Sequence, residues 1–286
     1  MDATIRETDA AAPIPSPPPP PRRRRSRSAG PRAGSLPALS VATVTVLLIL
    51  WAVTTSTGLI KPLFLPPPGA IVTAFQDAWS GAFDGNPLLT QIWASLVRVV
   101  GAFALAAVAG IPVGLAMGVS RVARAILDPI IEFYRPLPPL AYLPLMVIWF
   151  GIGETSKILL IFLACFAPVA LAARSGVLSA SSDQINAARA LGATRWQVLR
   201  YVILPAATPD ILVGLRIGMG VGWTTLVAAE MVAASAGLGQ MVLNASNFLR
   251  TDVVIMGILV IGAFAILFEF GMRFLERTLT PWKGKI

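Results

Sequence analysis

Charged side chains interrupt apolar stretches of this chain, among them Glu132 and Arg135 in one and Arg216 and Glu230 in another. Glu132 and Arg135 stand three residues apart, a spacing at which two side chains on a helix can pair. Arg216 and Glu230 are 14 residues apart, about 21 Å along a helix, so they cannot pair within it. Each must meet a group on another helix, a water-filled path or a membrane interface. A charge among apolar residues is a functional candidate by default. Arg135, Arg216 and Glu230 could line a route for an anion, with the arginines attracting it. The plainer use, favoured on general grounds, is as interhelical ion pairs that hold a bundle together.

Much other chemistry is excluded. The chain has no histidine and one cysteine, Cys165. A His-based zinc site, a Ser-His-Asp triad, a His general base and an intramolecular disulfide are therefore all absent. A phosphate-binding loop needs Gly-x-x-x-x-Gly-Lys-Ser/Thr. Of the four lysines, Lys61, Lys157, Lys283 and Lys285, only Lys285 follows a glycine, and Ile286 comes next. No catalytic or metal-binding residue is nominated. If ATP drives this protein, another chain must hydrolyse it.

The elements that carry the charges belong in a membrane. The composition is 56% hydrophobic and 13% charged, with mean hydropathy +0.74. A soluble domain carries about 25% charged residues. A spanning helix needs about 20 largely apolar residues. Six segments approach this, at roughly 36–57, 93–119, 124–150, 156–176, 208–234 and 252–274. The expected fold is an all-α polytopic membrane protein with six spans over 36–286. The third segment holds Asp128, Glu132, Arg135 and four prolines between 136 and 144, and the fifth holds Arg216 and Glu230. Charged or broken helices need cover from protein or a water-filled cavity, which makes these two the candidates for inner, pathway-lining helices. In the second, Gly110, Gly114 and Gly118 recur every four residues; with Gly101 they read as a close-packing surface.

Loop charge orients the bundle. With both termini in the cytoplasm, 17 of the 23 basic residues fall inside and three outside, as the positive-inside rule requires. The net charge of +9 is a topology signature and no argument for nucleic acid. Residues 1–35, rich in proline and arginine, read as a disordered cytoplasmic tail. Its Arg22–Arg25 run either orients the adjacent span or meets anionic lipid, the first being favoured. A cleavable signal peptide does not fit, because the apolar run from Leu36 to Thr54 is too long. The external loop 58–92 holds Ile71 to Trp79 at helical spacing. It reads as a short amphipathic helix on the outer surface or as a packed loop.

Between spans four and five lies Asn186-Ala187-Ala188-Arg189-Ala190-Leu191-Gly192-Ala193, followed by Val202-Ile203-Leu204-Pro205. Small side chains let another surface approach the backbone. Gly192 is placed to end a helix by its tolerance of positive φ, and Pro205 to open the next. The segment reads as a short rigid helix able to transmit a push, or as a loop that caps the bundle.

Here the residues resemble a family. The signature of ABC importer permeases runs Glu-Ala-Ala, three residues, Gly, nine residues, Ile-x-Leu-Pro. The spacing matches throughout; Asn186 replaces the Glu and Val202 the Ile. Phe133 to Lys157, Gly214 to Gly218 and Val227 to Glu230 resemble the nitrate, sulfonate and taurine group, and the ending Leu279 to Gly284 is similar to its taurine branch. The resemblance covers about 60–286. It implies a type I ABC importer permease in the bacterial cytoplasmic membrane, working by alternating access and forming a homodimer. The partners implied are two cytoplasmic ATPase subunits, which hold the ATP and Mg, and an extracytoplasmic binding protein, with lipid around the spans. Asn186, Ala187, Ala188, Leu191, Gly192, Ala193 and Pro205, in the loop 180–206, would seat in the ATPase. The implied substrate is taurine or a similar small sulfonate. Another small anion, such as an alkylsulfonate or nitrate, is the alternative. An ion-coupled secondary transporter would show an inverted repeat with midplane carboxylates, and no such repeat is visible. An intramembrane enzyme lacks a paired acid–base constellation.

Overall fold

The computed structural model describes residues 36–83 and 85–281. The Pro/Arg-rich tail at 1–35 and the last residues, 282–286, lie outside that range, and so do the expectations placed on them. The chain divides into two units between Leu50 and Trp51. The first contributes to the described residues only the opening of helix α1 (Leu36–Ser56).

Among the described residues, five helices are long and apolar enough to cross a membrane. Besides α1 they are α3 (Leu88–Val119), α6 (Glu154–Ser179), α9 (Leu204–Ala233) and α11 (Thr251–Leu279). Helix α6 is the centre of the bundle, packed against α3 on one side and α9 on the other. Its Leu160, Ile161, Cys165, Val169, Ala170 and Ala173 are buried. The approach to α3 is close because α3 presents glycine there. A Cβ on Gly114 would strike the Ala170 carbonyl and the Ala173 side chain, and one on Gly118 would strike Val177. The four-residue glycine spacing thus marks a packing face. Gly101 is not on it: a Cβ there would meet open space.

The third predicted span is not one helix. Residues 121–150 form amphipathic α4 (Arg121–Tyr134), a 3-10 turn at Pro139–Tyr142 and the eight-residue α5 (Leu143–Phe150). Prolines 136, 138, 139 and 144 explain the break. Each lacks an N–H donor, and Pro138, ahead of Pro139, is held extended at ψ 128°. The segment is tied to the centre by an ion pair between Asp128 on α4 and Arg174 on α6.

The helix expected near Ile71–Trp79 is α2 (Pro68–Ser80), ended by Gly81 at φ 82°. Ile71, Ala74 and Ala78 pack against Leu238, Met241 and Ala245 of α10 (Leu238–Asn247) and Val253 and Met256 of α11. Its other face leaves Phe75 and Trp79 exposed and stacked, centroids 5.9 Å apart. The loop is therefore packed on one side and apolar on the other.

Candidate functional site

The segment between α6 and α9 forms two short helices with well-made ends. Helix α7 (Ser182–Ala190) starts at Ser181, whose hydroxyl accepts the Gln184 N–H at 3.2 Å. It stops at Gly192, with φ +84°. There the Ala193 N–H reaches the Ala188 carbonyl at 3.1 Å and the Gly192 N–H reaches that of Arg189 at 2.9 Å. This pair of bonds is a Schellman motif. Two residues on, Thr194 and Gln197 make a reciprocal capping box for α8 (Arg195–Val198), satisfying two donors that a helix start leaves open.

One face of this elbow is anchored. Ile185, Ala188, Ala193, Val198 and Ile203 pack around Val177 at the end of α6, with Leu115 of α3. The other face is open. Asn186 and Ala187 are exposed, Leu191 is 89% exposed and Trp196 67%. Of the positions nominated from the sequence, Ala188 and Ala193 face inward, while Asn186, Ala187, Leu191 and Gly192 face out.

Pro205 stands in the first turn of α9, as expected, but no loop precedes it. Residues 195–233 are helical without interruption, and Leu199–Ile203 is a π-turn. Pro205 cannot donate to the residue four back, and its ring crowds that carbonyl. The wider π-turn just ahead of it absorbs the mismatch. The elbow is consequently continuous with α9 through this bulge.

The three charges nominated as pathway candidates separate. Arg135 stays near the surface, paired with Glu132 at 3.4 Å as the spacing allows, both side chains more than half exposed. Arg216 reaches α11, where it pairs with Glu276 and lies 3.6 Å from Glu269. Glu230 is fully buried. The Arg98 guanidinium of α3 donates to its Oε1 at 2.7 Å, Ser95 donates to both oxygens at 2.8 and 2.9 Å, and the Gly239 N–H donates to Oε2 at 2.9 Å. Arg216 and Glu230 thus each meet another helix.

Arg98 is the residue that sequence reasoning missed. It also holds Glu154 through Nε at 2.5 Å and Nη2 at 2.9 Å, and donates to the Ala236 carbonyl at 2.6 Å. Lys157, itself buried, pairs with the same Glu154 at 2.7 Å. Two cations thus face two carboxylates, which is the condition for burying charge at all. The start of α10 closes the cluster: Gly237 N–H donates to Gln91 at 2.5 Å and Leu238 N–H to Ser95 at 2.8 Å. These are the open donors of a helix N-terminus. Gly237 has φ +140°, and a Cβ there would collide with the Glu230 carboxylate. A signal for the cluster existed. Gln91, Ser95 and Arg98 recur at steps of four and three within an apolar helix, one polar stripe on one face.

No group of three His, Cys, Asp or Glu side chains suited to a metal occurs among the described residues. The fold and these sites define a polytopic membrane protein with a rigid, open-faced elbow between two of its spans. Residues 107–281 match the family described as binding-protein-dependent transport system inner membrane component, and the chain belongs to that family. It is 57% identical over 249 residues to the taurine transport system permease protein TauC of Escherichia coli K12, covering 87% of this chain and 90% of that one. It is 36% identical to a putative aliphatic sulfonates transport permease protein SsuC of Bacillus subtilis, covering 84% and 85%. It is 32% identical to the nitrate import permease protein NrtB of a Synechocystis strain, covering 87% and 90%. Among solved structures, an inward-facing MetNI methionine ABC transporter chain aligns at TM-score 0.61 and 23% identity, covering 68% of this chain and 96% of that one. That likeness is one of fold.

Proposed function

We propose that this chain is the membrane-spanning permease subunit of an ATP-driven importer for taurine or a similar small sulfonate. The observation that carries the reading is the 57% identity to a taurine permease across nearly the full length of both chains. The chain forms the channel, and a separate ATPase subunit, holding ATP and Mg, supplies the energy. Two copies of this chain, two ATPase subunits and an extracytoplasmic binding protein make the working unit in the bacterial inner membrane, with both termini cytoplasmic. Asn186, Ala187, Ala188, Leu191, Gly192, Ala193 and Pro205 form the coupling elbow. The open face around Leu191 and Trp196 supports this role, since apolar side chains so exposed mark a contact surface. The anchored face supports it too, because a push on α7 is passed to α6 and α9 without slack. Alternating access follows: ATP closes the ATPase pair, the elbow moves with it, and the spans turn from inward-facing to outward-facing.

A second substrate reading is favoured by the relatives named for aliphatic sulfonates and nitrate. Labelled taurine uptake into proteoliposomes holding the complete complex separates the two. ATP-dependent uptake, poorly competed by nitrate and long alkylsulfonates, establishes the taurine importer. Hydrolysis stimulated by the binding protein without taurine uptake moves the substrate to the other anions.

A further inference from the structure

Between the turn that follows α4 and the α6 and α9 helices lies a cavity of about 400 Å³, within the range of small-molecule sites. Arg135 and Tyr134 line it, together with Tyr142 and the apolar side chains of Ile217 and Val221. Three polar groups there have unused capacity. Among the described residues Arg135 makes one ion pair, to Glu132 at 3.4 Å with both side chains more than half exposed, a kind of pair that contributes little and is easily replaced. The Tyr134 hydroxyl is buried with no hydrogen-bond partner among the described residues, a state that folded proteins rarely leave unexplained. Pro168 lies inside α6 on the cavity wall. Having no N–H, it leaves the carbonyl of Ala164, a residue of the same wall, without its ordinary helical donor.

A fixed cation, a free hydroxyl and a spare carbonyl set among apolar side chains match a molecule of definite kind. It has an anionic head, a short hydrocarbon middle and a cationic tail. We propose that this cavity is a binding site for a zwitterionic aminosulfonate in transit, one per chain. The sulfonate displaces Glu132 from Arg135 and accepts from the Tyr134 hydroxyl. The two methylenes lie against Ile217 and Val221, and the ammonium donates to the Ala164 carbonyl. The proposal rests on the sulfonate-importer reading and adds a second point of selection, after the binding protein. An anion without an ammonium, such as nitrate, leaves the carbonyl unused.

The test measures taurine imported per ATP hydrolysed, with the full complex in proteoliposomes and the binding protein saturating. The wild-type complex comes first: absence of taurine uptake there defeats the importer reading itself. With wild-type uptake in hand, Arg135→Gln and the cavity-filling Val221→Trp address the site. Loss of one charge-assisted contact predicts a fall of about tenfold or more in taurine per ATP, with stimulated hydrolysis retained. A ratio unchanged in both variants overturns the site and leaves the importer standing. Should both variants also lose hydrolysis, Tyr134→Phe decides, since it removes one oxygen and nothing else. A lowered ratio upholds the site and an unchanged ratio overturns it.

Discussion

The Arg98 guanidinium and the Glu230 carboxylate, 132 residues apart in sequence, meet at 2.7 Å with both side chains buried. The contact joins α3 to α9 and, through Ala236 and Gly239, fixes the loop that begins α10. Removing one partner of a buried pair strands the other charge in a low-dielectric interior, at a cost of about 3–5 kcal/mol. Arg98→Gln is therefore expected to lower the melting temperature of the detergent-purified protein strongly. Arg135→Gln breaks an exposed pair worth about 0–1 kcal/mol and should barely move it. Equal shifts for the two variants would contradict the desolvated character of the cluster.

Gly192 sits at φ +84° with open space where a Cβ would go. A substitution there meets backbone strain and no clash within the chain. Left-handed backbone costs a non-glycine residue about 1–2 kcal/mol, and asparagine tolerates it best. Gly192→Ala should thus destabilise more than Gly192→Asn in thermal unfolding of the isolated permease. Gly192→Asp is expected to abolish transport while the protein remains in the membrane, checked by uptake and by immunoblot of membranes. Transport at the wild-type rate would remove the coupling role from this elbow.

Gly114 and Gly101 lie on the same helix and offer a matched pair. Gly114→Ala forces a methyl into the Ala170 carbonyl and Ala173, an overpacking expected to cost about 1–3 kcal/mol. Gly101→Ala meets nothing within 4 Å and gains about 0.5–1 kcal/mol of helix propensity. The yield of monodisperse protein on size exclusion, with its melting temperature, should rank Gly101→Ala at or above wild type and Gly114→Ala well below. The reverse order would mean that α3 does not present its glycine face to α6.

Arg216 and Glu276 join α9 to α11, with the Arg216 side chain 32% exposed. A double-mutant cycle of Arg216→Ala and Glu276→Ala should return a coupling of about 0.5–3 kcal/mol in unfolding free energy. A coupling of zero would show that the contact is not maintained in solution.

The sequence by itself determined the class of this protein. Hydrophobic runs of membrane length, loop charge and the Asn186-to-Pro205 spacing needed no partner to be legible, because each is a local pattern. The glycine face of α3 and the helix end at Gly192 were equally readable, since backbone permissiveness belongs to single residues. The break in 121–150 was visible as a run of prolines, but its resolution into two helices and a turn depended on how Asp128 and the neighbouring side chains found cover against α6. Pro205 was legible as the opening of α9, but the π-turn that joins α9 to the elbow without a break was not, because the residues that make it carry no sign of it. Only the tertiary structure decided the fate of the charges. Glu230 is buried on Arg98, Arg216 is drawn to α11 and Arg135 is left beside an open cavity. Spacing along one helix says which side chains share a face. It cannot say which face of a distant helix will arrive, and a charge within a membrane is defined by what arrives.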